Sequence, residues 1–276
     1  MSLFPARSSG SMQSLGALDN DHITRLFMAS AVFMAAAFLV TIPAWLIDER
    51  LLDNAAIWTK PQKFNVSLTL HFVTLAVLAQ LVPRNIRQGP VMLAFGYMAV
   101  FAMIFETLYI HIQAARGVRS HYNDSSIVEQ VFYGLMGIGA VVLIAVALVL
   151  AVQIWRKGDR SRPGLWLGAI LGLTTGFVST LIIASYLSSV GRYVGAPLSG
   201  GGEVVPFFGW SREYGDLRPA HFVSMHLMQT IPLAGWMADR RGWNVKATVF
   251  GVTAVQIALA VFLFMQARAG QPFWPV

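Results

Sequence analysis

The chain has 276 residues, 56% of them hydrophobic and only 12% charged, with a mean hydropathy of +0.60. Its apolar residues fall in runs of about twenty, the length that a hydrocarbon layer of roughly 30 Å demands of a helix, which excludes a soluble globular domain. The net charge of +7 therefore reads as membrane topology rather than as a nucleic-acid surface, and the lack of cysteine excludes disulfides, thiolate metal ligands and a cysteine nucleophile.

In chain order, residues 1–25 form a polar tail with Ser8, Ser9, Ser11, Ser14, Asp19 and Asp21, too long and too polar for a cleaved signal peptide. The first span then reads as a retained signal anchor. Seven spans are predicted, at 26–47, 64–82, 91–113, 127–155, 164–189, 221–237 and 247–265. They make one all-α domain over 26–267, an integral membrane bundle of seven transmembrane helices, followed by a short tail over 268–276. The sixth span is the shortest and carries His221, His226 and Gln229 in its first half. No stretch outside the bundle approaches the size of a second domain, and no internal repeat is visible. The longest connection, 191–220, contains "LSGGGEVVPFFGW", glycine-rich and then aromatic, which suits a flexible cover or an ordinary exposed loop.

Lysines and arginines near helix ends orient such a bundle. Eleven lie in the amino-terminal tail and even-numbered loops and nine on the opposite side, whereas the acids split four against eight. The expectation is a cytoplasmic amino terminus and an outside carboxyl terminus, in the inner membrane of a bacterium. The stretches "WTKPQKF", "QAARGVRSHYND" and "GWSREYGDLRPAHF" all fall in odd-numbered loops and would face outward together.

Glu106 sits within "AVFAMIFETLYIHIQAARG", where an acid is costly unless paired or neutral and so normally faces the bundle interior. Helical spacing puts Glu106, Tyr109, Gln113, Arg116 and Ser120 on one face. Pro61 suits the first turn of the second helix, where Lys60 and Lys63 stand at the positive dipole end and want anionic partners; Trp58 suits an interfacial anchor. Arg116 and Arg119 near a helix carboxyl terminus are dipole-favourable, with Gly117 as a cap. His121 and Asn123 follow, turned back toward a site or out to water. Asp216 and Pro219 suit a helix start. His221 and His226 are five apart, about 140° around a helix, too divergent to hold one small ion on a regular helix.

These stretches resemble a family of uncharacterised bacterial polytopic membrane proteins. The resemblance rests on "WTKPQKF" with Ser67, on "QAARGVRSHYN", and on "GAPLSGGGEVVPFFGWSREYGDLRPAHFVSMHLMQTIP", and spans about residues 50 to 235. It implies that the three stretches belong together and brings no activity with it. Seven helices, "SLTLH", an acid on the third span and a late histidine pair are also weakly similar to ceramidase and progestin-receptor-type zinc hydrolases. Those enzymes have their histidines four apart on the seventh helix, where this chain has them five apart on the sixth.

Two functions compete, alongside a purely structural polar network. The first is a haem- or metal-dependent membrane enzyme or redox protein acting on a small or lipid-like substrate. Its catalytic residues would be Glu106, His226 and Asp216, its metal ligands His221, His226 and His121, with His71 and His111 as further imidazoles for a haem. The second is a transporter or sensor for a small anionic or lipid-like ligand. For either, the candidate ligand-binding residues are Trp58, Lys60, Lys63, Gln113, Arg116, Arg119, Asn123, Arg218 and Gln229, in an outward-facing pocket between the second, third and sixth spans.

Overall fold

The computed structural model describes residues 18–53, 55–196 and 202–274. Residues 1–17 of the predicted tail, 197–201 of the long connection and the last two residues lie outside that description. Eight helices occur among the described residues: α1 (His22–Ile47), α2 (Thr59–Ala79), α3 (Arg84–Arg87), α4 (Pro90–Arg116), α5 (Ile127–Lys157), α6 (Pro163–Val190), α7 (Arg218–Arg241) and α8 (Val245–Arg268). Two small antiparallel ladders close loops: β1 (Leu51–Leu52) pairs with β2 (Ala55–Ala56), and β3 (Tyr193–Val194) with β4 (Gly215–Asp216).

Each of the seven predicted spans is a helix over most of its length; most run a few residues further at one or both ends, whereas α2 starts five residues earlier and ends three earlier than the predicted 64–82. The extensions have local causes. Asp21 and Ser126 accept hydrogen bonds from the amides of Thr24 and Glu129 and so start α1 and α5, and Asn244 does the same for α8. Gly117 ends α4 in the left-handed conformation (φ 70°), with the Val118 amide returning to the Gln113 carbonyl.

Five of the helices, α1, α4, α5, α6 and α8, are long and apolar enough to cross a membrane. Their outer faces present Val40, Phe101, Ile138, Ile182 and Phe262 at the surface, the pattern expected against lipid. The core between α1, α2, α4 and α5 is built from Phe27, Phe72, Leu75, Met103, Val146 and Leu150. The more polar helices, α2 and α7, keep their places through close packing, α2 against α1 and α7 against α6.

The α6–α7 contact is the most extensive in the bundle. Its basis is a row of glycines four residues apart on α6, at 164, 168, 172 and 176. A Cβ at Gly164 would lie 2.2 Å from the Gly235 carbonyl oxygen, and one at Gly168 would lie 2.8 Å from that of Ile231. The backbones touch because neither helix has a side chain between them there. Asp239 of α7 completes the contact by accepting the amides of Gly164 and Leu165 at 2.7 and 2.8 Å, capping α6 from its neighbour.

Successive long helices alternate in direction, so the bundle has two polar ends. The lower end holds the start of α1 and the α2–α4 connection. There Arg87, 1% exposed, binds Asp21 at 2.6 Å through Nε and also binds Asp19. The upper end gathers the loops after α1, α4 and α6 and holds the three sequence stretches singled out above.

Candidate functional site

At the upper end, most of the polar residues marked by the sequence are partnered by one another. Trp58 donates its indole N–H to Asp48 at 2.9 Å, and Arg50 binds the same carboxylate at 2.7 Å. Arg50 first, then Trp58, hold Asp48 well below the usual carboxylate range. Gln113 and Arg116 belong to a second cluster, where Glu129 accepts from the Tyr109 hydroxyl at 2.5 Å, from Arg116 at 2.9 Å and from Gln113. Arg119 reaches back to Asp53 at 2.6 Å, and Arg192 binds the other oxygen of that carboxylate. Asn123 braces the loop, donating to the Arg119 carbonyl at 3.0 Å and accepting from the Ser125 amide at 3.2 Å.

Asp216, offered as a catalytic residue, is buried and held by local partners. Its carboxylate accepts the amides of Ser211 and Arg218 at 2.9 and 3.0 Å and binds the Arg218 guanidinium at 2.6 Å. Arg218 also donates to the Tyr193 hydroxyl and to the Gly209 carbonyl, pinning the long connection to the start of α7. Pro219 stands in the first turn of α7, as its spacing requires.

Burial works to raise the Asp53 carboxyl, and the hydrogen bonds from Arg119 and Arg192 outweigh it, so the group titrates below its ordinary value. A carboxylate depressed in the folded state contributes stability that is present above its ordinary titration range and is lost as pH falls through the depressed value. The gap in melting temperature between the native protein and Asp53→Asn is therefore expected to be widest near neutral pH and to narrow progressively below pH 4. A gap that widens on acidification would contradict this assignment.

Two bases are treated differently. Lys60 donates to the Ser120 hydroxyl at 2.6 Å, and Lys63 donates to the Phe208 carbonyl at 2.9 Å. Neither has a carboxylate within ion-pair distance among the described residues. Both lysines lie within electrostatic range of Arg192 and Arg218, Lys60 also of Glu106 and Lys63 also of Asp216. Over them lies an aromatic cover, in which Phe208 stacks on Trp210 with centroids 4.4 Å apart and both rings abut Phe222 of α7. The adjoining Phe207 is held at φ 64°, a strained conformation for a bulky residue.

Below the lysines, Glu106 is 2% exposed and its Oε1 has no hydrogen-bond partner. The carboxyl lies against Gly139 of α5, where a Cβ would stand 2.8 Å from that oxygen. Asn65 Oδ1 and His221 Nδ1 are likewise buried without a partner. Buried polar atoms are paired in the great majority of cases, so each of these three has unused hydrogen-bonding capacity inside the bundle.

The histidines offered as metal ligands are not gathered. His121 packs on Phe64 and Tyr133 and lies 3.4 Å from Ser120 Oγ, whereas His226 packs on Phe222 and pairs with Gln229 at 3.3 Å. Burial first, then nearby Lys60, hold His121 well below the ordinary imidazole range, so its ring is neutral at physiological pH. His71 donates Nε2–H to the Leu143 carbonyl at 3.0 Å, and His111 donates Nδ1–H to that of Thr107 at 2.7 Å. Among the described residues no group of three or more His, Cys, Asp or Glu side chains is arranged to hold a metal ion. The physical reason is the one visible in the spacing: the five-residue step turns His221 and His226 apart, and His121 belongs to a different packing environment.

Comparison with protein-family models, curated proteins and solved structures finds no match to this chain.

Sequence reasoning missed Asp53, Glu129, Arg192 and Tyr193 as partners. Glu129 carried a usable signal, since Ser126 followed three residues later by an acid is a helix-start pattern. Asp53 and Arg192 carried none, being separated by 139 positions in the chain. A groove of about 320 Å³ between α4 and α5 is lined by Phe105, Leu108, Ile112 and Phe132, with Arg116 and Glu129 also on its wall. Neither lysine lines it, so it is separate from the site around Glu106.

Proposed function

We propose that the chain is a seven-span membrane protein that binds a small anionic ligand, free or carried by a lipid, from the upper end at Lys60 and Lys63. The observation that carries this reading is the sorting of charge. Of the nine bases at that end, Arg50, Arg116, Arg119, Arg192, Arg212 and Arg218 form ion pairs, and Arg268 lies over the rings of Tyr186 and Phe264. The two lysines meet only neutral acceptors. Around them, five bases (Lys60, Lys63, Arg119, Arg192 and Arg218) face four acids (Asp53, Glu106, Asp124 and Asp216), a surplus of one positive charge that an anion would neutralise. An ammonium group is an effective point charge for phosphate or carboxylate.

In this reading α2 and α7 also span. Their 21 and 24 residues reach roughly 30 Å or more, and α2 buries Gln62 and Asn65 while α7 buries Ser224 inside the bundle. The lower end carries eleven lysines and arginines against nine at the upper end, which favours the lower end as the cytoplasmic side. The resemblance to a bacterial family supports the cytoplasmic membrane of a bacterium as its location. Phe208 would move with ligand, because an anion and the Phe208 carbonyl compete for Lys63.

The test is a melting-temperature screen of purified protein against carboxylates and phosphate monoesters, followed by titration calorimetry. Lys60→Ala and Lys63→Ala are each expected to weaken the best anion about tenfold or more, the loss of one charge-assisted hydrogen bond. The reading falls if no anion shifts melting, or if both variants bind as the native protein does. The alternative with a small metal ion asks for a donor set that the described residues do not gather, whereas a haem asks only for one or two axial histidines. A Soret band or stoichiometric metal in the purified protein would restore it.

A further inference from the structure

The acid beneath the two lysines limits what kind of anion the site can take. Glu106 forms no ion pair with Lys60, whose ammonium is directed to Ser120 at 2.6 Å, although the two lie within electrostatic range. Its carboxyl is 2% exposed, has an orphaned oxygen, and occupies the gap left by the missing side chain of Gly139. An unpartnered carboxyl at such a position would repel a ligand that was simply an anion. It would attract one that also carries a hydrogen-bond-donating cation.

We propose that the ligand is zwitterionic, with its acidic group at Lys60 and Lys63 and a primary ammonium at Glu106. An amino acid and the headgroup of an ethanolamine lipid share this chemistry. The inference rests on the anion-binding reading above, and goes beyond it by assigning Glu106 as a specificity-determining acceptor. Gly139 is a positioning residue, since any side chain there would collide with the carboxyl.

The test compares two probes of nearly equal size, phosphoethanolamine and ethyl phosphate, which differ in the terminal ammonium. The native protein is expected to bind the amine-bearing probe about tenfold or more tightly, the fold-change of one charge-assisted hydrogen bond. In Glu106→Gln the ratio of the two affinities should fall to near one. Gly139→Ala, which displaces the carboxyl without removing it, should lower the ratio in the same direction. Nanodiscs of phosphatidylethanolamine against phosphatidylglycerol distinguish the sources: a preference seen only there assigns the ammonium to a lipid headgroup. Equal affinity for both probes in both formats, or a preference that survives Glu106→Gln, would overturn the zwitterion while leaving anion binding intact. Failure of every anion to bind would remove both readings together.

Discussion

Arg87→Ala is expected to lower the stability of the purified protein by roughly 3–5 kcal/mol, seen as a large fall in melting temperature in detergent, without altering ligand affinity at the upper end. Arg87 is 1% exposed and is shared by Asp19 and Asp21. It also donates to the side-chain oxygen of Gln80 at 3.2 Å and to the carbonyls of Ala79 and Val82 at 3.3 and 3.4 Å. One guanidinium thus ties the start of α1 to the end of α2. Truncation leaves Asp21, 2% exposed, without its counter-charge. Arg87→Lys retains charge but not the fork geometry that serves several acceptors at once, so an intermediate loss is expected. A change in melting temperature no larger than that of an exposed arginine at the same end, such as Arg84→Ala, would refute the assignment.

Gly168→Leu is the second change with a large expected effect. At this position even a Cβ would come 2.8 Å from the Ile231 carbonyl oxygen and 3.0 Å from the Pro232 Cα, both backbone atoms that cannot swing aside. Gly168→Ala should therefore destabilise by about 1–3 kcal/mol, the usual range for overpacking. Leucine should prise α6 from α7 over several turns and deplete the folded species in size-exclusion chromatography. Gly137→Leu on α5 is the control, since nothing lies within 4 Å of its would-be Cβ. If the two leucine variants are equally well folded, the close α6–α7 contact is not what holds α7.

That contact also explains an element that was hard to read. The sixth predicted span looked weak because of its histidines and Gln229, yet α7 is a full helix of 24 residues. It packs backbone to backbone along the glycine row of α6 and buries Leu227 and Ile231 with Val249 of α8. The other spans were legible because their causes are local. Asp21, Ser126 and Gly117 act on amides and carbonyls within a few residues, so position in the chain is enough to read them.

The site was legible in part. The lysines, Glu106 and the long connection were marked, and the structure brings them to one end of the bundle. The arginines were marked for the same reason, and most of them are occupied. Arg119 finds Asp53 at a separation of 66 residues, and Arg218 folds back on Asp216 two residues away. The predicted face of α4 holds for Tyr109, Gln113 and Arg116, which converge on Glu129. It fails at Ser120, because Gly117 ends the helix and the chain turns Ser120 toward Lys60.

By itself, then, the sequence determined how many long helices there are, because apolar runs of that length favour helix, and most of their ends, because caps act on neighbouring residues; it placed the start of α2 five residues late, at 64 rather than Thr59. It also determined which residue types crowd one end. Only the tertiary structure decided which of those charges are neutralised, which polar atoms stay unpaired, and which imidazoles are engaged in packing. A salt bridge or a metal site depends on distances of a few ångströms between segments remote in the chain, and residue spacing does not carry that information.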